Sequence, residues 1–348
     1  MRRVSRIAVA GVASAALALS VSACGGTSSD AAGDGKSKGV GIAYDVGGQG
    51  DQSFNDAATA GMHQAEKEFG YKGEAIEPKD GESDADKTQR LVSMAKQGYN
   101  PVVGVGYAYA PAVKEAAAKY PKVTFGIVDD ATIKAKNVAA LVFSEQEASY
   151  LAGVAAAKAT KTKHVGFVGG VDVPLIHKFE AGFAQGVKDT DPKVKVERQY
   201  LTETAEEGGF TSPDKGKAAA EAQIEKGADV VYHASGLSGQ GVIEAAAKAK
   251  KWAIGVDSDQ YEQKPLAAYK SHILTSATKD VAKAVFNLAK SVQDGKPTTG
   301  VVRGDLKSGE VALSESNPEF AKNSEIQDAV KKAREGIVSG KIKVQDKP

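Results

Sequence analysis

From Gly39 onward, short runs of β-branched and apolar residues alternate with longer Ala- and Lys-rich stretches of helical period, and this alternation limits the possible folds more than any other feature of the chain. Strands are expected at 40–44, 71–77, 101–105, 123–128, 138–143, 164–168, 194–201, 229–233, 252–256 and 272–276. Helices are expected between most of them, at 53–69, 84–97, 110–119, 145–158, 175–188, 213–226, 240–249 and 279–293, with a last one at 325–339. The strands read as continuous apolar runs rather than alternating ones, as required when helices cover both faces of a parallel sheet. Two such series, divided near Phe143, predict two doubly wound α/β lobes of ordinary domain size. Sheets of this kind bind ligands beyond the carboxyl ends of their strands and in the crevice between lobes. The residues just after each strand are therefore the candidates for function.

Ahead of the body lies a segment ordered like an export signal. Arg2, Arg3 and Arg6 precede an apolar stretch from Ile7 to Leu19, and Val21-Ser22-Ala23 leads into Cys24, the only cysteine of the chain. The apolar stretch is short against the ~20 residues needed to cross a bilayer. A cysteine directly after small residues matches a bacterial lipobox, which predicts cleavage after residue 23 and a diacylglycerol anchor on Cys24, hence the extracytoplasmic face of a bacterial cell membrane. Residues 24–38 contain no large apolar side chain and are expected to form a tether. The lobes are expected to comprise 39–143 plus about 278–307, and 144–277 plus about 308–348. Without the three signal arginines, 42 basic residues face 44 acidic ones, and no basic stripe interleaved with aromatics argues for nucleic acid. The outer helix faces suggest no large apolar patch, so a monomer is expected.

Motifs of catalysis fail on inspection. Asp84-Ala85-Asp86-Lys87-Thr88 has the D-x-D-x-T order of phosphotransferases but follows a polar segment, so Asp84 reads as a helix start. Gly239-Gln240-Gly241 lacks the third glycine of a dinucleotide loop, which is replaced by Glu244. Gly236-Leu237-Ser238-Gly239 has Gln240 where a nucleophile elbow needs glycine. His63, His164, His177, His233 and His272 show no metal-ligand spacing, although His177 and His233 lie near strand ends. No enzyme activity, cofactor or metal is expected.

The strongest signal in the body is the segment Asp45 to Asp56, which follows the first strand and opens the first helix. Its glycines allow close backbone approach, Ser53 is placed to cap the helix, and Phe54 stands at the helix start over the crevice beside Asn55. This D-x-G-x-x-x-D-x-S-F-N pattern resembles the BMP family of basic membrane lipoproteins, the nucleoside-binding components of ABC importers. Further matches follow in order: Phe179-Glu180-Ala181-Gly182-Phe183, Gly209-Phe210 before Pro213, Ala228 to Gly236, Gly255-Val256-Asp257-Ser258-Asp259-Gln260, and Thr275 to Asp280.

The resemblance implies a type I periplasmic-binding-protein fold whose two lobes, joined by a hinge, close on a nucleoside, purine nucleosides foremost. It implies that Phe54 and Phe210 sandwich the base, that Asn55 and Asp129 bond its edges, and that Asp45 and Asp257 accept ribose hydroxyls. Lys279 is placed at the sugar end, Gly236 lets a backbone amide approach, and Ser53 belongs to the same ligand-binding set. Where family members carry Asn or a second aspartate after the second aromatic, this chain has Thr211 and Ser212. The implied partners are a permease and an ATPase. The alternatives are a sugar- or signal-binding protein of the same fold, or an exported nucleoside hydrolase.

Overall fold

The computed structural model describes residues 37–79 and 81–348, so the expected signal segment, Cys24 and most of the tether lie outside the described residues. Ser37 and Lys38, assigned to the tether from sequence, already join the body: the Lys38 amide donates to the Gly98 carbonyl at 3.0 Å.

Two six-stranded sheets form the frame. The first holds β1 (Gly41–Ala43), β2 (Glu74–Ile76), β3 (Val102–Gly104), β4 (Phe125–Val128), β5 (Val138–Phe143) and β11 (Gly300–Gly304), in the order β11-β5-β4-β3-β1-β2. The second holds β6 (His164–Val171), β7 (Lys195–Thr202), β8 (Val230–Ala234), β9 (Trp252–Asp257), β10 (Ile273–Lys279) and β12 (Val311–Leu313), in the order β12-β10-β9-β8-β6-β7. Every pairing is parallel except that of β12 with β10. Apart from the direction of the outermost strand, β11 or β12, the two sheets are topological copies, and in each the strand order reverses beside the first strand. The antiparallel β12 and the edge strand β11 were not anticipated from sequence; each is short and lies among polar residues.

Helices cover the sheets: α1 (Phe54–Phe69), α2 (Asp84–Lys96), α3 (Ala110–Lys119) and α8 (Val281–Gln293) on the first, and α4 (Glu145–Ala159), α5 (Pro174–Thr190), α6 (Pro213–Glu225), α7 (Gly239–Lys248), α9 (Pro318–Ala321) and α10 (Ser324–Val338) on the second. Asp84 does open a helix: the Ser83 hydroxyl accepts from the Asp86 amide at 3.2 Å and the Asp86 carboxylate from the Ser83 amide at 2.9 Å. α4 and α5 approach so closely that a Cβ added to Gly182 would come within 2.1 Å of the Gln146 carbonyl oxygen, and one on Gly186 within 2.1 Å of that of Tyr150. Any side chain there would push the helices apart.

The chain passes between the lobes after β5, after β10 and after β11. These crossings are tied to one another, Ser144 N donating to Gly304 O and Asp280 N to Glu310 O, both at 2.8 Å. They form the hinge. Among the described residues, no helix is long and apolar enough to cross a membrane.

Candidate functional site

In each sheet the loops after the first and third strands flank the point where the strand order reverses, which is where an open α/β sheet leaves a crevice. These are the loops after β1 and β3 in the first lobe and after β6 and β8 in the second. They face one another across a cavity between the two sheets. Eight of the nine residues expected to bind ligand line it: Asp45, Phe54, Asn55 and Asp129 from the first lobe, Phe210, Gly236 and Asp257 from the second, and Lys279 from the start of a hinge crossing.

The duplicated topology repeats its backbone devices. Asp129 follows β4 and Asp257 ends β9, the equivalent strand, and both hold the left-handed conformation rare for a residue with a side chain, at φ 67° and 62°. Gly106 after β3 and Gly236 after β8 have positive φ values of 97° and 53°. A Cβ on Gly106 would stand 2.1 Å from Asp45 Oδ2, so glycine is what lets that carboxylate sit where it does. Phe210 is fitted similarly, because a Cβ on Gly170 would lie 2.4 Å from its ring.

Lys279 occupies the centre. Its ammonium donates to Asp129 Oδ2 at 2.6 Å and lies 3.6 Å from Asp257 Oδ1, so it pairs one acid from each lobe. It also lies 4.5 Å from the centroid of the Phe54 ring and 5.7 Å from that of Phe179. Burial alone would pull its pKa down, but the carboxylates of Asp129, Asp257 and Glu145 outweigh that and hold it above the ordinary lysine value. Burial pushes Asp45 up to about 7 and Asp129 up to about 6, the latter against the pull of Lys279. Asp129 Oδ1 is buried without a protein partner, an acceptor open to a ligand donor. Asn55 Oδ1 accepts from the Asp45 amide at 3.0 Å, which fixes the carboxamide and leaves its NH₂ as the donor for a ligand.

Ser53 departs from expectation. It does not line the cavity and its side chain does not cap α1; its hydroxyl donates to Asp257 Oδ2 at 2.6 Å. The cap is Asp51, whose carboxylate accepts from the amides of Ser53, Asn55 and Asp56 at 3.0, 2.8 and 3.2 Å. The reason is tertiary: Asp257 arrives from the other lobe and takes the serine hydroxyl. Asp259, the other acid of that loop, is bonded to the Ser316 hydroxyl away from the cavity. His177 pairs with Asp172 and His233 with Gln260, and neither lines the cavity. Sequence reasoning gave no site role to Tyr107, Phe179 or Asp51, which do line it. Tyr107 stands just past the third strand, where the strand-end rule pointed.

A family model described as "ABC transporter substrate-binding protein PnrA-like" matches residues 38–347. The chain belongs to the Bmp family. Among relatives of this Bmp-family protein, the ABC transporter nucleoside-binding protein BmpA of Lactococcus lactis is 38% identical over 323 residues, covering 88% of each chain. The CD4+ T-cell-stimulating antigen of Listeria innocua is 35% identical over 348 residues, covering 94% of each. Proteins named as lipoproteins occur among the relatives, such as one from Pyrococcus horikoshii at 33% identity, covering 92% of this chain and 84% of that one. A solved ABC transporter solute-binding protein from Aeropyrum pernix superposes with a TM-score of 0.74 at 28% identity, covering 87% of this chain and 92% of the other. One from Conexibacter woesei, at 22% identity and a TM-score of 0.70 over 88% of this chain and 98% of its own, shares the fold. The Bmp-family chain is thus a substrate-binding protein of the ABC transporter class, with the type I periplasmic-binding-protein fold.

Proposed function

We propose that this protein captures nucleosides, purine nucleosides foremost, in the cleft between its lobes and delivers them to a membrane permease and its ATPase for import. Cys24 would anchor it by lipid to the outer face of the cell membrane. The observation that carries the reading is the cavity wall itself: one aromatic ring from each lobe, Phe54 and Phe210, with four carboxylates and one ammonium gathered around them. A flat heterocycle stacks on such rings with little regard to its substituents. A pentose offers hydroxyl donors for Asp45 and Asp257, and a carboxylate built to accept them rejects analogues without them. Asn55 supplies a donor and Asp129 Oδ1 an acceptor for the base edge, and Lys279 stands at the sugar end. The nucleoside-binding relative from Lactococcus lactis supports the same reading.

Calorimetry with adenosine, guanosine, inosine, uridine, cytidine and free ribose tests it. Purine nucleosides are expected to bind most tightly and ribose not at all; binding of ribose but of no nucleoside would transfer the assignment to sugars. An assay for released base checks that bound nucleoside survives intact.

Charge predicts a further discrimination. Four aspartates and one lysine line the cavity, and that lysine is already paired with two of the aspartates. A phosphate placed among these groups meets like charge, a juxtaposition that costs several kcal/mol in a desolvated site. Adenosine 5′-monophosphate is therefore expected to bind at least about tenfold more weakly than adenosine. Equal affinities in parallel titrations would reject the charge argument.

Binding should also depend on pH. A hydroxyl that donates to Asp45 favours its ionised form, so the pKa of about 7 in the free protein falls in the complex. The linked affinity is fully present above pH 7 and is lost as pH falls through that value. Titrations of adenosine from pH 8 to pH 5 are expected to show progressive weakening with proton release on binding, and a flat profile would remove Asp45 from the contact.

A further inference from the structure

Tyr109 is fully buried behind the cavity wall, in the short turn that follows β3, and does not line the cavity. Its hydroxyl stands between two groups: Arg90 Nη1 donates to it, and it donates to the Tyr44 carbonyl at 2.9 Å. Valence fixes the direction. A guanidinium offers no acceptor, so the phenol oxygen must accept from Arg90, and its single hydrogen goes to the carbonyl. Arg90 is held in turn by Glu82, whose carboxylate accepts from Nη1 at 3.2 Å and also from Nη2, with both side chains more than nine-tenths buried. Burial keeps the pKa of Tyr109 above the ordinary tyrosine value, so the proton it gives to Tyr44 is retained at physiological pH.

The carbonyl of Tyr44 and the amide of Asp45 belong to one peptide unit, and both ends of that unit are tied. On one side the oxygen accepts from Tyr109; on the other the N–H donates to Asn55 Oδ1 at 3.0 Å. A line of donors and acceptors thus runs from Glu82 through Arg90, Tyr109 and the peptide to the Asn55 carboxamide, each link polarising the next. Its far end is the cavity: Asp45 and Asn55 line it, whereas Glu82, Arg90 and Tyr44 do not. Rotation of this peptide would carry the Asp45 carboxylate with it. It would also free Asn55 to turn either its oxygen or its NH₂ toward a ligand.

We propose that Tyr109, aimed by Arg90 and Glu82, is a positioning residue for ligand recognition: it sets the plane of the Tyr44–Asp45 peptide and, through that peptide, the face of Asn55 that meets the ligand. Tyr109 itself touches no ligand. It acts through its two clients, so its effect must shrink once Asn55 can no longer respond. The proposal rests on the nucleoside reading only for the ligand used in the titrations.

The test compares Tyr109→Phe, which removes one oxygen and keeps the ring, with Tyr150→Phe, which removes a buried tyrosine hydroxyl bonded to Asp189 in the other lobe, outside the cavity wall. Both variants lose a hydrogen bond, and both are expected to melt at a lower temperature than wild type. Only Tyr109→Phe is expected to bind adenosine more weakly, by roughly 3- to 30-fold in calorimetry, the scale set by one mispositioned polar contact. In an Asn55→Ala background the same substitution is expected to cost less than about twofold, as residues acting through one another are not additive. Without ligand, the Asp45 amide is expected to exchange its hydrogen roughly tenfold faster in Tyr109→Phe than in Tyr150→Phe, read by nuclear magnetic resonance. Unchanged affinity in Tyr109→Phe, an equal loss in Tyr150→Phe, or full additivity with Asn55→Ala would each overturn the positioning role, as would an unaltered Asp45 amide. If adenosine binds to no form of the protein, the nucleoside reading falls, while the exchange of the Asp45 amide still decides whether Tyr109 holds the peptide.

Discussion

Lys279→Met is expected to lower the stability of the ligand-free protein by about 3–5 kcal/mol at pH 8, the usual cost of removing one partner from a buried ion pair. The magnitude follows from what the lysine leaves behind. Asp129 and Asp257 are both nearly inaccessible to solvent, one from each lobe, and the ammonium between them is their shared cation. Without it two carboxylates confront each other in a desolvated space. Asp129, which burial already raises to about 6, can escape by taking up a proton, so the loss should shrink toward pH 5. Thermal unfolding of wild type and variant at both pH values measures this; for a chain of this length the shift at pH 8 should be on the order of 10 °C. A variant that melts like wild type at pH 8 would show that the lysine is not what holds the two acids together. A uniform loss at both pH values would point to packing against Phe54 and Phe179 instead.

Phe54→Ala and Phe210→Ala should each weaken nucleoside binding by about 1–3 kcal/mol, or roughly 5- to 150-fold, and the double variant should abolish measurable binding. The two rings belong to different lobes, so a base stacked between them is also a contact that holds the lobes together. Each substitution is therefore expected to raise the dissociation rate more than it lowers the association rate. Neither ring is fully buried, so melting temperatures without ligand should move little. Calorimetry and stopped-flow measurement on the three variants provide the check. Unchanged affinity in either single variant would dismiss that ring from the site.

Much of the frame was legible because parallel sheets leave a plain signature: β4 and β5 are buried on both faces and read as unbroken apolar runs. β11 and β12 were not, since Gly300–Gly304 is largely exposed and Val311–Leu313 is three residues long with an antiparallel partner. Phe54 could be found from its position alone, one step past a glycine loop that follows a strand. Phe210 could not, because it sits in a long polar loop, and only the family resemblance singled it out. Phe179 was hidden because it lies more than a turn inside α5, where an aromatic reads as core. Asp51 and Ser53 are two capping residues two positions apart, and local chemistry cannot rank them. The choice is made by Asp257, which lies 204 positions further along the chain. Contacts of that range leave no mark on local periodicity.

Because the polypeptide passes between the sheets three times, no uninterrupted stretch of the gene encodes a finished half of this molecule. A fragment ending after β5 lacks its outer strand β11 and the helix α8 that packs on α1; one that begins at α4 and stops at β10 exposes the flank that β12 covers. During synthesis, then, the first sheet must wait with an open border until residues 300–304 emerge, by which time nearly all of the second has been made. The two halves, alike in plan, mature almost together, and neither could be lost, shuffled or borrowed without the other.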